Sequence, residues 1–248
     1  MKITGNTILI TGGGTGIGRA LAEALHAKGN QIIIAGRREG PLREVAAANP
    51  GMAFATLDIT DPAAIKAFAA TLVADHPALD AVILNAGIMK AEDMLAEPYD
   101  LTDAEATITT NLLGPIRLVA ALLPHFKAQG SATILTVSSG LAFVPLAATP
   151  TYNATKAAIH SWSQSLRHQL KDTGIQVIEI APPAVATDLM PGHAENPHSM
   201  PLADYIAETV SLLETQPEAA ENLVERVKFL RNAERSGHYD QVFAQLNG

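Results

Sequence analysis

The sequence predicts an α/β fold, a single domain built on a doubly wound parallel sheet, and three observations lead there. Short apolar runs rich in β-branched residues alternate strictly with helical patterns, which implies right-handed crossovers between parallel strands. The runs are continuously apolar instead of alternating, as expected of strands covered on both faces. A glycine-rich turn joins the first strand to the first helix, on the edge where such sheets bind ligands.

Taken in order, the β-rich runs place strands at 7–11, 31–35, 53–58, 81–85, 133–137 and 175–180. Apolar residues at helical spacing place helices at 16–28, 38–48, 61–75, 102–128 and 151–172, the last closed by Gly174 as a C-terminal cap. Asn111 is a mediocre interior helix residue, and Pro115 has no N–H for the carbonyl four residues before it, so a local kink is expected there. Ile159, Trp162, Leu166 and Leu170 repeat at helical spacing and read as core. A stretch punctuated by Pro and Gly at 188–202 has the length of an active-site lid. A seventh strand is expected around 224–229.

At 248 residues the chain is long for a domain, but it suits one sheet-and-helix unit with an ample core. Hydrophobic residues make up 48% and charged residues 17%, which argues against disorder. A net charge of -8, with no basic cluster beyond Arg37 and Arg38, offers nothing to hold a nucleic-acid backbone. With no cysteine, disulfides and thiol chemistry are excluded, and the eight histidines show no metal-binding spacing. The chain begins in a strand pattern instead of a signal peptide, and no uninterrupted apolar run reaches the roughly 20 residues of a membrane helix. A cytoplasmic protein is expected, with no metal and no membrane partner.

The segment from Thr11 to Gly18 reads Thr-Gly-Gly-Gly-Thr-Gly-Ile-Gly between strand and helix. That context suits a pyrophosphate: Gly12, Gly16 and Gly18 permit a tight turn and close backbone approach, while Thr15 and Ile17 stand at the helix N-terminus. About twenty residues on, where an acidic side chain would bind a ribose 2′-hydroxyl, the chain has Arg37 and Arg38. An arginine there forks onto a 2′-phosphate, so NADP is expected in preference to NAD. Further along the same rim come Asp58 and Ile59, placed to meet an adenine, and Asn85, Ala86 and Gly87, small enough at the last two to let backbone approach a flat ring. Asp58 reads equally well as a helix cap.

Tyr152 and Lys156 stand four apart on a helix and so share one face. A phenol near pKa 10 is a poor proton donor and acceptor at neutral pH, and a cation beside it is expected to bring that value down. Ser139 lies thirteen residues before Tyr152, at the end of the fifth strand.

With Thr-Gly-x-x-x-Gly-Ile-Gly at 11–18, Asn-Ala-Gly at 85–87, Asn111, Ser139, Tyr152 and Lys156, the chain resembles the short-chain dehydrogenase/reductase superfamily over residues 5 to about 190. The resemblance implies a Rossmann-type fold in which Ser139 holds the substrate oxygen and Tyr152 passes the proton. It further implies that Lys156 bonds the nicotinamide ribose and lowers the tyrosine pKa, and that Asn111 supports a water relay to Lys156. Pro182, Val185 and Thr187 are the nicotinamide-side candidates, although Pro183 stands where relatives usually have glycine and removes a backbone donor. Ser-Ser-Gly-Leu-Ala-Phe at 138–143 and Ala-Pro-Pro-Ala-Val at 181–185 are similar to a bacterial branch, DltE-like, named for its neighbourhood to lipoteichoic acid D-alanylation genes.

The expected activity is hydride transfer between NADP(H) and a small-molecule carbonyl or alcohol, in a homodimer formed through the helices carrying Asn111 and Tyr152. Leu141, Phe143, Val144, Leu146, Leu189 and Met190 suggest an apolar pocket for a hydrophobic ketone or aldehyde. A non-catalytic NADP-binding redox sensor is the alternative, because a fold does not impose chemistry. A sensor has no need of Asn111, Ser139, Tyr152 and Lys156 together. Epimerases and dehydratases share the tyrosine and lysine, but the larger relatives of that type have longer chains.

Overall fold

A computed structural model describes residues 1–192 and 194–248. Seven parallel strands form one sheet: β1 (Thr7–Thr11), β2 (Gln31–Gly36), β3 (Ala53–Thr56), β4 (Leu79–Leu84), β5 (Ala132–Val137), β6 (Ile175–Ile180) and the two-residue β7 (Glu221–Asn222). Their spatial order is β3-β2-β1-β4-β5-β6-β7. The order reverses between β1 and β4, where a crevice opens beyond the carboxyl ends of the strands.

The helices between the strands are α1 (Gly16–Ala27), α2 (Glu39–Ala48), α3 (Pro62–Asp75), α4 (Thr102–Ile108), α5 (Gly114–Gln129), α6 (Pro150–Gln169) and α7 (Leu202–Thr215). Successive strand residues point to opposite faces. Ile8, Ile10, Ile32 and Ile34 therefore meet Leu21 and Leu25 of α1, Leu42 of α2 and Tyr205 of α7 in one core. Leu9, Ile33 and Val82 meet Ile65 of α3, Phe126 of α5 and Leu166 of α6 in the other. Leu170 and Trp162 pack in that second core and Ile159 is buried, as their spacing indicated.

Local chemistry sets the helix ends. Asp61 caps α3 by accepting hydrogen bonds from the N–H groups of Ala63 (2.7 Å) and Ala64 (3.2 Å), with Pro62 opening the helix. The expected kink in 102–128 is a single π-helical turn, Thr109–Leu113, between α4 and α5. By length and composition Thr102–Gln129 could cross a membrane, but Leu118, Val119, Leu122 and Phe126 are buried against the sheet.

Several boundaries differ from expectation. Gly174 does not cap α6, which ends at Gln169; the turn beyond is closed by the Thr173 hydroxyl donating to the Leu170 carbonyl at 2.7 Å. Gly174 instead lies so close to the Gly130 carbonyl that no side chain fits. The seventh strand is Glu221–Asn222, not 224–229. Val224 and Val227 are both buried at a spacing of three, which belongs to the 3-10 turn Glu225–Val227 and to α8 (Lys228–Arg231) that follows. β3 and β4 stop at Thr56 and Leu84, so Asp58 and Asn85 lie just beyond the strands. A last helix, α9 (Tyr239–Asn247), packs through Val242 against Val144 and Ala233.

Candidate active site

Gly12 and Gly16 take positive φ, +69° and +54°, which side-chain-bearing residues rarely adopt. A Cβ on Gly18 would collide with the Gly12 carbonyl and the Asn85 amide, so only glycine lets α1 start this close to the turn. Beneath the turn the Thr11 hydroxyl accepts from the N–H of Asn85 and of Ala86, each at 3.1 Å, and Asn85 Nδ2 donates to the Thr11 carbonyl at 3.0 Å. The Asn85 side chain thus braces the glycine turn from below, while Ala86 and Gly87 reach the crevice itself.

That crevice holds a cavity of about 150 Å³ and is partly open to solvent. Gly12 and Thr15 line one side, Arg37 and Arg38 the mouth, and Ile59, Ala86 and Gly87 the other side. Both arginines are exposed. Asp58 is not the cap of α3. It accepts from the Thr60 hydroxyl (2.7 Å) and N–H (2.9 Å), and these bonds, with a smaller contribution from Arg37, hold its carboxyl below the usual range. Ile59 is buried beside Gly114, whose missing side chain admits it. Thr187 comes within 3.7 Å of where a Cβ on Gly16 would stand, bringing the segment after β6 to the glycine turn. Val185 is buried in the core and bridges to Met200, and Pro182 is buried with its carbonyl accepting from the Gly140 N–H at 2.8 Å.

Next to Gly87 on the crevice wall stand Asn111 and Lys156, and these two, with Ser139 and Tyr152, are all buried. Asn111 sits in the π turn and closes a two-way clamp on Ile88: its Oδ1 accepts from the Ile88 N–H at 2.9 Å and its Nδ2 donates to the Ile88 carbonyl at 2.8 Å. Gly87 leaves room between Asn111 Oδ1 and Lys156 Nζ, which lie 3.3 and 3.8 Å from its would-be Cβ. Lys156 Nζ donates to the Val137 carbonyl at 2.8 Å and stands 5.5 Å from the centre of the Tyr152 ring.

Burial dominates the electrostatics here. It pushes the Tyr152 phenol up to about 12, and a hydrogen bond from Ser139 offsets only part of that rise. It brings Lys156 down to about 8. The net fall expected from Lys156 is therefore not what the protein alone gives: burial, which penalises both charged forms, outweighs the other influences on the phenol. Tyr152 is therefore a protonated phenol across the neutral range.

The expected substrate wall is only partly assembled. Phe143 turns away to pack edge-on against His160 at 4.8 Å and under Arg231, and Val144 is buried beneath α9. Leu141, Leu146 and Met190 are half-buried and Leu189 is exposed. Within 188–202, His193 lies outside the described residues. The base of this loop is closed where Met200 bonds Ala184 and Ala186, at 2.8 and 2.9 Å.

One contributor was not expected from the sequence. Glu92, in the loop after β4, accepts from the Thr151 N–H (2.9 Å) and hydroxyl (2.7 Å) and so fastens that loop to the first turn of α6, beside Tyr152. Its only sequence signal was one carboxylate among several in that loop, alongside Asp93, Glu97 and Asp100, which is too common to single out.

The family model for short chain dehydrogenases matches residues 6–197. The chain belongs to that family. The chain is 39% identical over 251 residues to the uncharacterised oxidoreductase DltE of Bacillus subtilis (strain 168), covering 100% of this chain and 98% of that protein. Among solved structures, a short-chain dehydrogenase from Streptomyces avermitilis is 28% identical, with a TM-score of 0.81 over 97% of this chain and 95% of the other. A serine dehydrogenase complexed with NADP+ is 27% identical, with a TM-score of 0.77 over 87% of this chain and 91% of the other. The protein is therefore an oxidoreductase of that family with a Rossmann-type fold.

Proposed function

We propose that the protein is an NADP(H)-linked alcohol dehydrogenase or carbonyl reductase that acts on a hydrophobic ketone or aldehyde. The observation that carries this reading is that Ser139, Tyr152 and Lys156 are buried together, on the same rim as a glycine turn in which Gly12 and Gly18 have no room for side chains. The residues fit the cofactor: Gly12, Gly16 and Gly18 leave the backbone bare for a pyrophosphate, and Arg37 and Arg38 at the crevice mouth offer guanidinium forks to a 2′-phosphate.

When bound, the cofactor supplies or accepts the hydride. The protein handles the proton. Ser139 Oγ accepts from the Leu141 N–H at 3.1 Å, which directs its own proton toward Tyr152 and a carbonyl oxygen placed between them. Negative charge that develops on that oxygen meets two hydroxyl donors, and the Tyr152 phenol delivers its proton there. Lys156 would keep a positive charge beside the phenol and bond a ribose hydroxyl of the cofactor. Asn111 shapes the turn between Ile88 and Thr155 that borders the lysine, donating to Thr155 Oγ1 at 3.3 Å.

The preference for an apolar substrate rests on Leu141, Leu189 and Met190, and on Met94 and Leu95, which stand 62% and 89% exposed in the loop that Glu92 fastens beside Tyr152. The segment 188–202 acts as the lid.

The test is NADPH consumption across ketones and aldehydes of increasing chain length, repeated with NADH. Reduction that improves with apolar chain length and favours NADPH supports the reading, whereas a preference for small charged ketoacids contradicts the apolar pocket. Arg37→Ala should raise the KM for NADPH by about 10- to 100-fold, as losing a charge-assisted bond of about 1.5–3 kcal/mol implies, and leave that for NADH unchanged. An unchanged KM for NADPH removes Arg37 from the cofactor site.

A further inference from the structure

Behind Ser139 runs a buried polar chain with no place in the proton transfer just described. Glu179 on β6 stands in register with Glu221 on β7, two like charges on neighbouring strands, and Glu179 has no exposed surface. Arg231 answers Glu221 with a forked pair, its Nη2 2.9 Å from Oε1. Glu179 is answered differently. Its Oε1 accepts the Ser138 hydroxyl at 2.5 Å, and its Oε2 accepts from His160 Nδ1 at 2.8 Å. Because a carboxylate only accepts, Nδ1 carries the proton.

Each end of this chain reaches the site. Ser138 is the neighbour of Ser139, and the segment is stitched to the extension of β6 by the Ser138 N–H on the Ile180 carbonyl (2.9 Å) and the Gly140 N–H on the Pro182 carbonyl (2.8 Å). His160 lies on α6, roughly two turns after Tyr152 and on the same face as Tyr152 and Lys156. The helix that carries the proton donor therefore grips, through one imidazole and one buried carboxylate, the segment that carries Ser139.

We propose that His160 and Glu179 are positioning residues that fix the Ser139 hydroxyl relative to the Tyr152 phenol. The proposal rests on the reading of Ser139 and Tyr152 as the proton-handling pair. A displacement of about 1 Å in such a pair costs on the order of 100-fold in turnover. His160, Glu179 and Glu221 also present donor atoms within 4.8 Å of one another, as a metal site would. Ser138 and Arg231 already hold oxygens of the two carboxylates, and the guanidinium would stand beside any cation, so positioning accounts for the cluster better.

Three variants test it, with kcat, carbonyl KM, NADPH Kd and melting temperature measured for each. His160→Ala should lower kcat about 10- to 100-fold while KM and Kd stay within about twofold. His160→Asn, whose amide nitrogen takes the place of Nδ1, should recover most of the loss. Ser138→Ala cuts the other end and should reproduce the loss, which decides the matter if His160→Ala does not fold. A wild-type kcat in the folded Ala variants, or an Asn variant as slow as the Ala one, overturns the proposal. So does a Mn²⁺- or Zn²⁺-dependent gain in the wild type that His160→Ala lacks. If the wild type binds NADPH but reduces no carbonyl, the functional reading has failed instead. Crystal structures then carry the test without turnover: the Ser139 hydroxyl displaced in the Ala variant and restored in the Asn variant, with an unmoved Ser139 overturning the proposal.

Discussion

At Lys156 two influences oppose each other: burial disfavours its ammonium form while the Val137 carbonyl accepts a hydrogen bond from it at 2.8 Å. Its value in the fold, about 8, is below the 10.5 of a free lysine. Between those values the unfolded chain holds a proton that the folded one has released, so stability rises with pH there and is lost as pH falls through about 8. Tyr152 acts in the opposite sense: its raised value gives stability that is present below about pH 10 and lost as pH climbs through about 12. The wild type should therefore show a rise in melting temperature between about pH 8 and 10, and Lys156→Met should flatten it. A rise of equal size in both proteins would mean that Lys156 is not desolvated. The Tyr152–Lys156 pair was legible in the sequence because helical spacing alone puts the two on one face. What burial does to them was not, since it depends on how α6 packs against β5 and the segment after it, which no local pattern encodes. The same holds for Asn85 and Asn111, whose partners are the backbone of the glycine turn and of Ile88.

Among the elements, the turn from β1 into α1 leaves little freedom. Gly18 faces the Gly12 carbonyl with no space for a methyl group, and the overpacking of Gly18→Ala should cost about 1–3 kcal/mol. The same substitution pushes the turn off its Asn85 brace, so NADPH binding should weaken by more than the melting temperature suggests. Titration of intrinsic fluorescence with NADPH, alongside thermal melts, separates the two effects; an unchanged Kd would place the pyrophosphate away from this turn. The turn was readable because glycines between a strand and a helix have a specific backbone meaning. The π turn at Thr109–Leu113 was foreshadowed by Asn111 and Pro115. β7 was misplaced because two residues paired to β6 carry no periodicity, while the valines at 224 and 227 look like strand residues until their spacing is seen to be helical. Phe143 and Val144 were assigned to the pocket because apolar residues after Ser139 are indistinguishable, in one dimension, from those that pack under α8 and α9.

Over the whole molecule, the sheet order brings residues 11–18, 85–87, 111, 139, 152 and 156 to one rim, although more than a hundred positions separate the first from the last. Alternation of strands and helices made that architecture legible, since right-handed crossovers leave few alternatives. The sheet order beyond β6 and the C-terminal packing against Val144 depend on contacts no local pattern encodes. The central claim is that this rim couples a nicotinamide hydride to proton delivery by Tyr152, and the most direct measurement is carbonyl-dependent NADPH oxidation by the wild type and Tyr152→Phe. The account predicts a loss of about 10²- to 10⁴-fold in kcat with NADPH Kd and melting temperature essentially unchanged. Turnover near the wild-type level in the folded phenylalanine variant would contradict it.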